Sequence, residues 1–213
     1  MKYSFNTWAY SDFPCWVPSY PFEETVRRIA KIGYDGLELG CAQPQAWPYY
    51  LGREERMQMR RILKEHQLAV SSMLPAPGGG PGGNIASSCE KERCWTVQYW
   101  KDCIDLGLEI GDCQTLLCVC GWYSYGTRQK DAWSWAREGI TQVAEYAADS
   151  GVTLMLEPTA CDSNLVESCE DAISMMEEIG MDNVKLMFDT THALYRNEVP
   201  SDYIYQMGKN LKH

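Results

Sequence analysis

No stretch of this sequence is apolar for long enough to cross a membrane, since a spanning helix needs roughly 20 apolar residues in a row. The first residues, Met1–Asn6, are too polar for a secretory signal. These two absences predict a cytoplasmic protein with no membrane partner. The length of 213 residues allows one domain with a sizeable core, so we predict a single domain over 1–213.

Positive charge is also scarce. The sequence has 19 Lys and Arg residues against 29 Asp and Glu residues, which gives a formal net charge of −10. A surface this acidic repels phosphate backbones, so we do not expect nucleic acid as a partner. A small anionic substrate stays compatible with the sequence, because a local cluster of Arg or Lys can override the net charge.

The sequence has no typical phosphate-binding turn. A doubly wound sheet should carry a glycine-rich turn after its first strand, but the first predicted strand runs into Trp8–Pro14, which contains no glycine. The segment Pro75–Gly83 is rich in glycine but lacks the Gly-Lys-Ser/Thr ending of a P-loop. We interpret it as a flexible loop after the third strand rather than as a phosphate cradle.

Cysteine, by contrast, is abundant, with ten residues. Because no export signal is evident, we expect reduced thiols rather than disulfides. Cys118 and Cys120 lie two apart in an apolar run, so a strand would place both on one face. A metal-binding pair is conceivable, but no second pair has zinc-finger spacing, and we favour buried strand thiols.

One pattern recurs along the chain: an amphipathic helix ends near a glycine and a short apolar strand follows. Gly151 and Gly180 stand where a residue in the left-handed conformation would end a helix. The predicted helices are 25–33, 53–66, 92–106, 135–151, 170–180 and 201–211. The predicted strands are 3–8, 36–39, 68–73, 114–120, 152–156 and 184–188.

Strands that alternate with helices and are apolar along their length indicate a parallel sheet that is buried on both faces. We therefore predict an α/β fold of the (β/α)₈ TIM barrel type, with about six βα units present and the last two strands missing. The oligomeric state is not set by the sequence, and a homo-oligomer stays open.

Polar residues at the carboxyl ends of barrel strands are where active sites form. Glu38, Glu157 and Asp189 end three of the predicted strands, and His192 follows Asp189 by three residues. A half-buried carboxylate needs a partner or a cation, and oxygen and imidazole ligands suit Mg²⁺, Mn²⁺, Co²⁺ or Zn²⁺. Helix N-caps or rim salt bridges would also explain Glu157 and Asp189, and a rim hydrogen bond would explain His192.

Five short motifs occur in order along the chain: Tyr34–Leu39, Gln43–Trp47, Leu156–Pro158, Asp162–Val166 and Phe188–His192. With these motifs the chain resembles the sugar phosphate isomerase/epimerase superfamily, the group of xylose-isomerase-like barrels. Within that group it is most similar to the ketose 3-epimerases, including the fructoselysine-epimerase branch.

The resemblance implies a divalent-metal-dependent isomerase or epimerase of a ketose or sugar phosphate, which removes a proton next to the carbonyl through an enediolate. It implies that Glu157 is both metal ligand and acid/base, that Asp189 is a metal ligand, and that His192 contacts the substrate or, as in some relatives, the metal. The further predicted substrate contacts are Trp8, Trp122, Asp162 and Glu38. Rim packing is the alternative role for the two tryptophans.

The sequence also departs from the family's pattern. The family's last strands supply a metal-binding histidine and a second catalytic glutamate, whereas the printed sequence ends at Asn210–His213. His213 matches the first histidine of the family's His-x-His pair, while the family's ligand is the second. We therefore expect the 213-residue chain by itself to be inactive.

Three other functions stay open at this point. An inosose dehydratase would use the same cluster of Glu, Asp and His. A phosphodiesterase of the endonuclease IV type needs several histidines for three zinc ions, whereas this chain has three histidines in all and a negative net charge. A non-catalytic sugar-binding protein is the third alternative.

Overall fold

The computed structural model describes residues 1–11, 18–76 and 83–213. Most of the glycine-rich segment Pro75–Gly83 therefore lies outside the described residues, and so does the end of the Trp8–Pro14 stretch. The interpretation of that segment as a flexible loop stays a prediction.

Six parallel strands alternate with helices, as predicted, and they follow one another in the sheet in chain order. The strands are β1 Ser4–Asn6, β2 Gly36–Cys41, β3 Ala69–Pro75, β4 Thr115–Val119, β5 Thr153–Glu157 and β6 Val184–Leu186. The α-helices are α1 Phe22–Ile32, α2 Arg53–Glu65, α3 Glu90–Gly111, α4 Gln129–Ala148, α5 Cys169–Ile179, α6 Thr190–Tyr195 and α7 Pro200–Met207. Along the described parts of the chain, no helix is both long enough and apolar enough to span a membrane.

Two compact units make up the chain. The first comprises residues 1–82 and 99–116, and the second comprises residues 83–98 and 117–213. We call them the first unit and the second unit.

The first unit is built on β1, β2 and β3. All six residues of β2 are buried, as expected for a strand that has a neighbour on each side and apolar cover on both faces. Helix α1 buries Val26 and Ile29 and exposes its charged face, which places an apolar stripe toward the sheet.

The second unit contains β5 and β6, which pair in parallel with Leu154 opposite Val184. Leu211 forms a parallel bridge with Leu186, so the last described residues lie along β6. Helix α4 buries seven residues, Ala132, Ala136, Gly139, Ile140, Val143, Ala144 and Ala147. Helix α5 begins with a capping box and ends at Gly180, whose φ of 68° is the left-handed conformation that the sequence predicted there.

Several predicted boundaries were wrong. The first strand ends at Asn6 rather than at residue 8, because the Asn6 side chain accepts the N–H of Trp8 and starts a 3₁₀ helix over Thr7–Tyr10. Helix α4 begins six residues before the predicted residue 135 and ends at Ala148, so Gly151 lies in the turn that follows the helix. The predicted helix 201–211 stops at Met207 and continues as a 3₁₀ turn. Helix α6 was not predicted.

The described cysteines are free thiols, as predicted. Cys118 in β4 and Cys120 just after it are both buried, which confirms the interpretation as buried strand thiols.

Candidate metal centre

The carboxyl ends of β5 and β6 place two acidic residues in the second unit. Glu157 is the last residue of β5, and only 7% of it is exposed to solvent. Asp189 follows the end of β6 by three residues and is half-buried. Because the two strands pair in parallel, both acidic residues emerge at the same edge of the sheet.

Asp189 also begins helix α6. Its Oδ1 accepts the main-chain N–H of Thr191 at 2.6 Å, so it serves as the helix N-cap. The N-cap interpretation and the ligand interpretation of Asp189 are therefore compatible, because a carboxylate has a second oxygen left for another partner.

Helix α6 brings His192 to the same place. Its imidazole is buried, with 6% of the side chain exposed, and its Nε2 lies 3.8 Å from Oε1 of Glu157. One ligand atom from each of Glu157, Asp189 and His192 lies within 4.8 Å of the other two. The three residues that the sequence singled out at two strand ends therefore converge.

This donor set fits a divalent cation. Two carboxylate oxygens and an imidazole nitrogen are ligands that Mg²⁺, Mn²⁺, Co²⁺ and Zn²⁺ accept in proteins. A buried carboxylate is unfavourable unless it is paired or bound to a cation, and Glu157 is buried with an acidic neighbour. The chemistry of the residues thus suits any of these four ions.

A second group of ligand-type side chains shares His192. Cys161 and Asp162 lie in the loop after β5, and together with His192 they offer three ligand atoms within 4.8 Å of one another. Asp162 is exposed, and its Oδ2 lies 3.8 Å from Nε2 of His192. Burial and the neighbouring Asp162 raise the pKa of the Cys161 thiol.

Two buried thiols, Cys118 in β4 and Cys120 just after it, lie close enough to Glu157 to feel its charge. Burial raises the pKa of Cys120 to about 12, and the negative charge of Glu157 makes a smaller contribution in the same direction. Burial also raises the pKa of Cys118 well above its usual range, with a further contribution from Cys120. Both side chains therefore stay neutral thiols, which agrees with their interpretation as packing residues.

Trp122, a predicted substrate contact, follows β4 in the second unit and is half-buried. Asn84 holds its main chain: the Asn84 Nδ2 donates to the Trp122 carbonyl at 2.7 Å, and the Asn84 Oδ1 accepts the Trp122 N–H at 3.2 Å. Gly121 has a φ of 86°, and a Cβ there would stand 2.5 Å from the Asn84 Oδ1. The close approach of Asn84 thus requires glycine at this position.

Glu38 and Trp8 belong to the first unit. Glu38 is 8% exposed, and its carboxylate accepts the Asn6 Nδ2 at 2.8 Å and the hydroxyl of Ser72. Residues from β1 and β3 thereby satisfy this buried carboxylate on β2. Trp8 packs on Gly40, where a Cβ would come within 2.9 Å of the indole. The roles of both residues as substrate contacts stay predictions.

Sequence reasoning missed Cys161 and Asn84. Cys161 meets His192 across 31 positions of sequence, and Asn84 meets Trp122 across 38. Neither residue lies at the end of an apolar strand or in a motif with regular spacing. Only the position of Cys161 next to the predicted contact Asp162 could have drawn attention to it.

Among the known proteins similar to this chain are sugar epimerases. The chain is 25% identical to a fructoselysine 3-epimerase of Shigella flexneri over 202 residues, which cover 94% of the chain and 72% of that protein. It is 38% identical to an L-ribulose 3-epimerase of Mesorhizobium japonicum over 177 residues, which cover 80% of the chain and 55% of that protein.

The fold is similar to that of solved structures as well. A crystal structure of D-psicose 3-epimerase in the presence of D-fructose superimposes with a TM-score of 0.83 at 18% sequence identity. The match covers 100% of this chain and 72% of that chain. The family described as "Xylose isomerase-like TIM barrel" matches residues 26–213. Since this match covers most of the sequence, the chain belongs to the xylose isomerase-like TIM barrel family.

Proposed function

We propose that this chain is a divalent-metal-dependent ketose epimerase. The observation that carries the proposal is the convergence of Glu157, Asp189 and His192 at the carboxyl ends of β5 and β6. Two of the relatives, a fructoselysine 3-epimerase and an L-ribulose 3-epimerase, support a ketose as the substrate and C3 as the reacting carbon.

In this proposal Glu157 moves the proton. Its carboxylate is buried beside His192, where water does not compete for it, and a carboxylate can accept the proton of a C–H bond next to a carbonyl. Asp189 would hold the metal from the N-terminus of α6. When bound there, the metal would supply Lewis-acid polarisation of the sugar carbonyl.

Other residues of the chain would hold the sugar. Asp162 stands at the exposed side of His192 and can accept a sugar hydroxyl. Trp122 offers an aromatic surface whose main chain is fixed by Asn84. Trp8 and Glu38, in the first unit, stay predicted substrate contacts. The cytoplasmic location and the single domain stay predictions from the sequence, and a homo-oligomer stays open.

The test is proton exchange during turnover. Because the sequence predicts that the 213-residue chain is inactive by itself, it would be assayed within a complete barrel, with the last two strands of a relative joined to its carboxyl end. This protein would be incubated in D₂O with Mn²⁺ and a panel of ketoses that includes fructoselysine, L-ribulose and D-psicose. An epimerase that removes and returns a proton should produce the C3 epimer with deuterium at C3. A sample treated with a chelator should show neither the epimer nor the deuterium.

The same experiment separates the alternative reactions. Loss of water from a keto-inositol, without deuterium exchange into any ketose, would identify a dehydratase and refute the proposal. Sugar binding without any exchange or product would indicate the non-catalytic alternative and would refute it equally.

A further inference from the structure

The two ring nitrogens of His192 have different neighbours. Nδ1 lies 3.3 Å from the main-chain nitrogen of Cys161 and 3.0 Å from the Cys161 Sγ. Nε2 lies 3.8 Å from a carboxylate oxygen of Glu157 and 3.8 Å from one of Asp162. Nδ1 therefore faces a main-chain N–H, which can only donate, beside a thiol that can donate or accept, and two acceptors face Nε2.

The main-chain N–H of Cys161 decides which nitrogen carries the proton. This group can only donate, so the Nδ1 that it meets has to present a lone pair. In a neutral imidazole one nitrogen has the lone pair and the other has the hydrogen. A hydrogen on Nδ1 would point one N–H at another, whereas a hydrogen on Nε2 points toward two carboxylates.

The fold holds both partners of this contact in place. In the loop after β5, the N–H groups of Asp162 and Ser163 donate to the Thr159 carbonyl at 3.0 and 2.8 Å. The Ser163 hydroxyl also donates to the Gly121 carbonyl at 2.6 Å, which ties the loop to the end of β4. His192 lies in helix α6, which Asp189 caps, and its ring is buried.

We propose that Cys161 is a positioning residue that fixes His192 in its Nε2–H tautomer, so that His192 serves the site as a hydrogen-bond donor and not as a metal ligand. In this tautomer Nε2 has no lone pair for a cation, and the lone pair of Nδ1 is taken up by the Cys161 N–H. His192 then cannot bind a metal together with Glu157 and Asp189, and it cannot bind one together with Cys161 and Asp162.

Two consequences follow for the metal centre. Glu157 and Asp189 become the residues of the second unit that hold the cation. The N–H at Nε2 becomes available to a sugar oxygen or to a carboxylate. The tautomer follows from the contacts alone, whereas donation to a sugar oxygen rests on the proposed function.

Nitrogen NMR of the histidine rings tests the tautomer directly. In a ¹⁵N-histidine sample, two-bond proton–nitrogen correlations distinguish a protonated ring nitrogen from one with a lone pair. The chain has three histidines, and the signals of His192 are the set that disappears in His192→Gln. We expect a lone pair on Nδ1 and a hydrogen on Nε2, both without metal and after saturation with Zn²⁺.

Zn²⁺ is the stringent choice because it is diamagnetic and binds imidazole readily. A hydrogen on Nδ1 in the metal-free chain would overturn the proposal, and so would loss of the Nε2 hydrogen when Zn²⁺ binds. The measurement needs no turnover, so a failure to find epimerase activity would leave its result valid.

Two variants test the role of Cys161. Cys161→Ala removes the thiol but keeps the main-chain N–H, so the tautomer should be unchanged. Cys161→Pro removes the N–H, and the single tautomer should give way to a mixture in a chain that still unfolds cooperatively. If the proline variant folds and keeps the same single tautomer, Cys161 does not fix the ring. If it does not fold, the wild-type and alanine spectra decide.

Discussion

The carboxylate of Glu157 and the amide of glutamine have nearly the same shape, but only the carboxylate can accept a proton. Glu157 is buried at the end of β5, so this exchange leaves the packing unchanged. We expect Glu157→Gln to lower the turnover of a ketose substrate by about 10²–10⁴-fold. The epimerisation assay with Mn²⁺ measures it, and circular dichroism checks the fold.

The matched control for this variant is Glu177→Gln, which makes the same change at an exposed position of α5 in the same unit. The control should turn over as fast as the wild type. If Glu157→Gln kept more than half of the wild-type rate, Glu157 would not be the proton-transferring group.

Asp189 caps helix α6 and is also the proposed metal ligand, and a substitution by asparagine should affect only the second role. Asparagine caps a helix about as well as aspartate, but its amide oxygen is a weaker ligand for a hard cation than a carboxylate. We therefore expect Asp189→Asn to weaken Mn²⁺ binding in a calorimetric titration while the metal-free protein unfolds at the same temperature.

Asp189→Ala is the companion variant, because it removes the cap to Thr191 as well. It should lose the metal and in addition about 1 kcal/mol of stability. Equal Mn²⁺ affinity in the wild type and in Asp189→Asn would show that Asp189 has only a structural role.

At the scale of single residues, the side chains at strand ends could be predicted from the sequence. The contacts that a loop makes with residues far along the chain could not. Glu157 and Asp189 follow apolar runs, so their position at one edge of a parallel sheet could be anticipated. The contact of Cys161 with His192 depends on the course of the loop after β5 and on a helix of six residues. Such a short helix does not show the repeating apolar positions from which longer helices are predicted.

At the scale of elements, Asn84 joins the start of α3 to the loop after β4. Its main-chain N–H donates to Glu92, and its side chain meets the N–H and the carbonyl of Trp122 and the N–H of Ala86. Because Asn84 is buried, its removal leaves main-chain groups without partners.

We expect Asn84→Ala to reduce the free energy of unfolding by about 1–3 kcal/mol. Urea denaturation measures the change. Asn84→Asp keeps the acceptor for the two N–H groups and loses the donor to the Trp122 carbonyl, so it should lose stability too. Unchanged stability in both variants would contradict the role of Asn84 in holding this loop.

Element boundaries depended on local chemistry that the apolar pattern does not report. The side chain of Asn6 ends β1 early by capping the turn that carries Trp8. Asp189 starts α6 in the same way after β6. By contrast, α5 combines a clear helical period with a serine before it and a glycine after it, and its boundaries were predicted to within one residue at each end.

At the scale of the whole molecule, the charge of −10 bears on the choice of substrate. A protein that binds DNA gains most of its affinity from Lys and Arg contacts with phosphates, and the acidic surface opposes such contacts. We expect neither binding nor cleavage of double-stranded DNA that contains an abasic site, at low salt and with Zn²⁺ present.

Gel retardation and strand cleavage measure this prediction, with an authentic endonuclease IV as the positive control. Cleavage at the abasic site that is lost in Asp189→Asn would show that the metal centre acts on phosphodiesters.

Local apolar periods and the residues that end helices were enough to predict the alternation of six strands with six of the seven α-helices found among the described residues. The sequence also placed the acidic residues at strand ends, because a parallel sheet brings those ends to one edge. The contacts of His192, with one ring nitrogen near Cys161 and the other near Glu157 and Asp162, could not be predicted and come from the tertiary fold. That arrangement depends on where a loop and a short helix meet in space, and no local interaction along the chain fixes such a meeting.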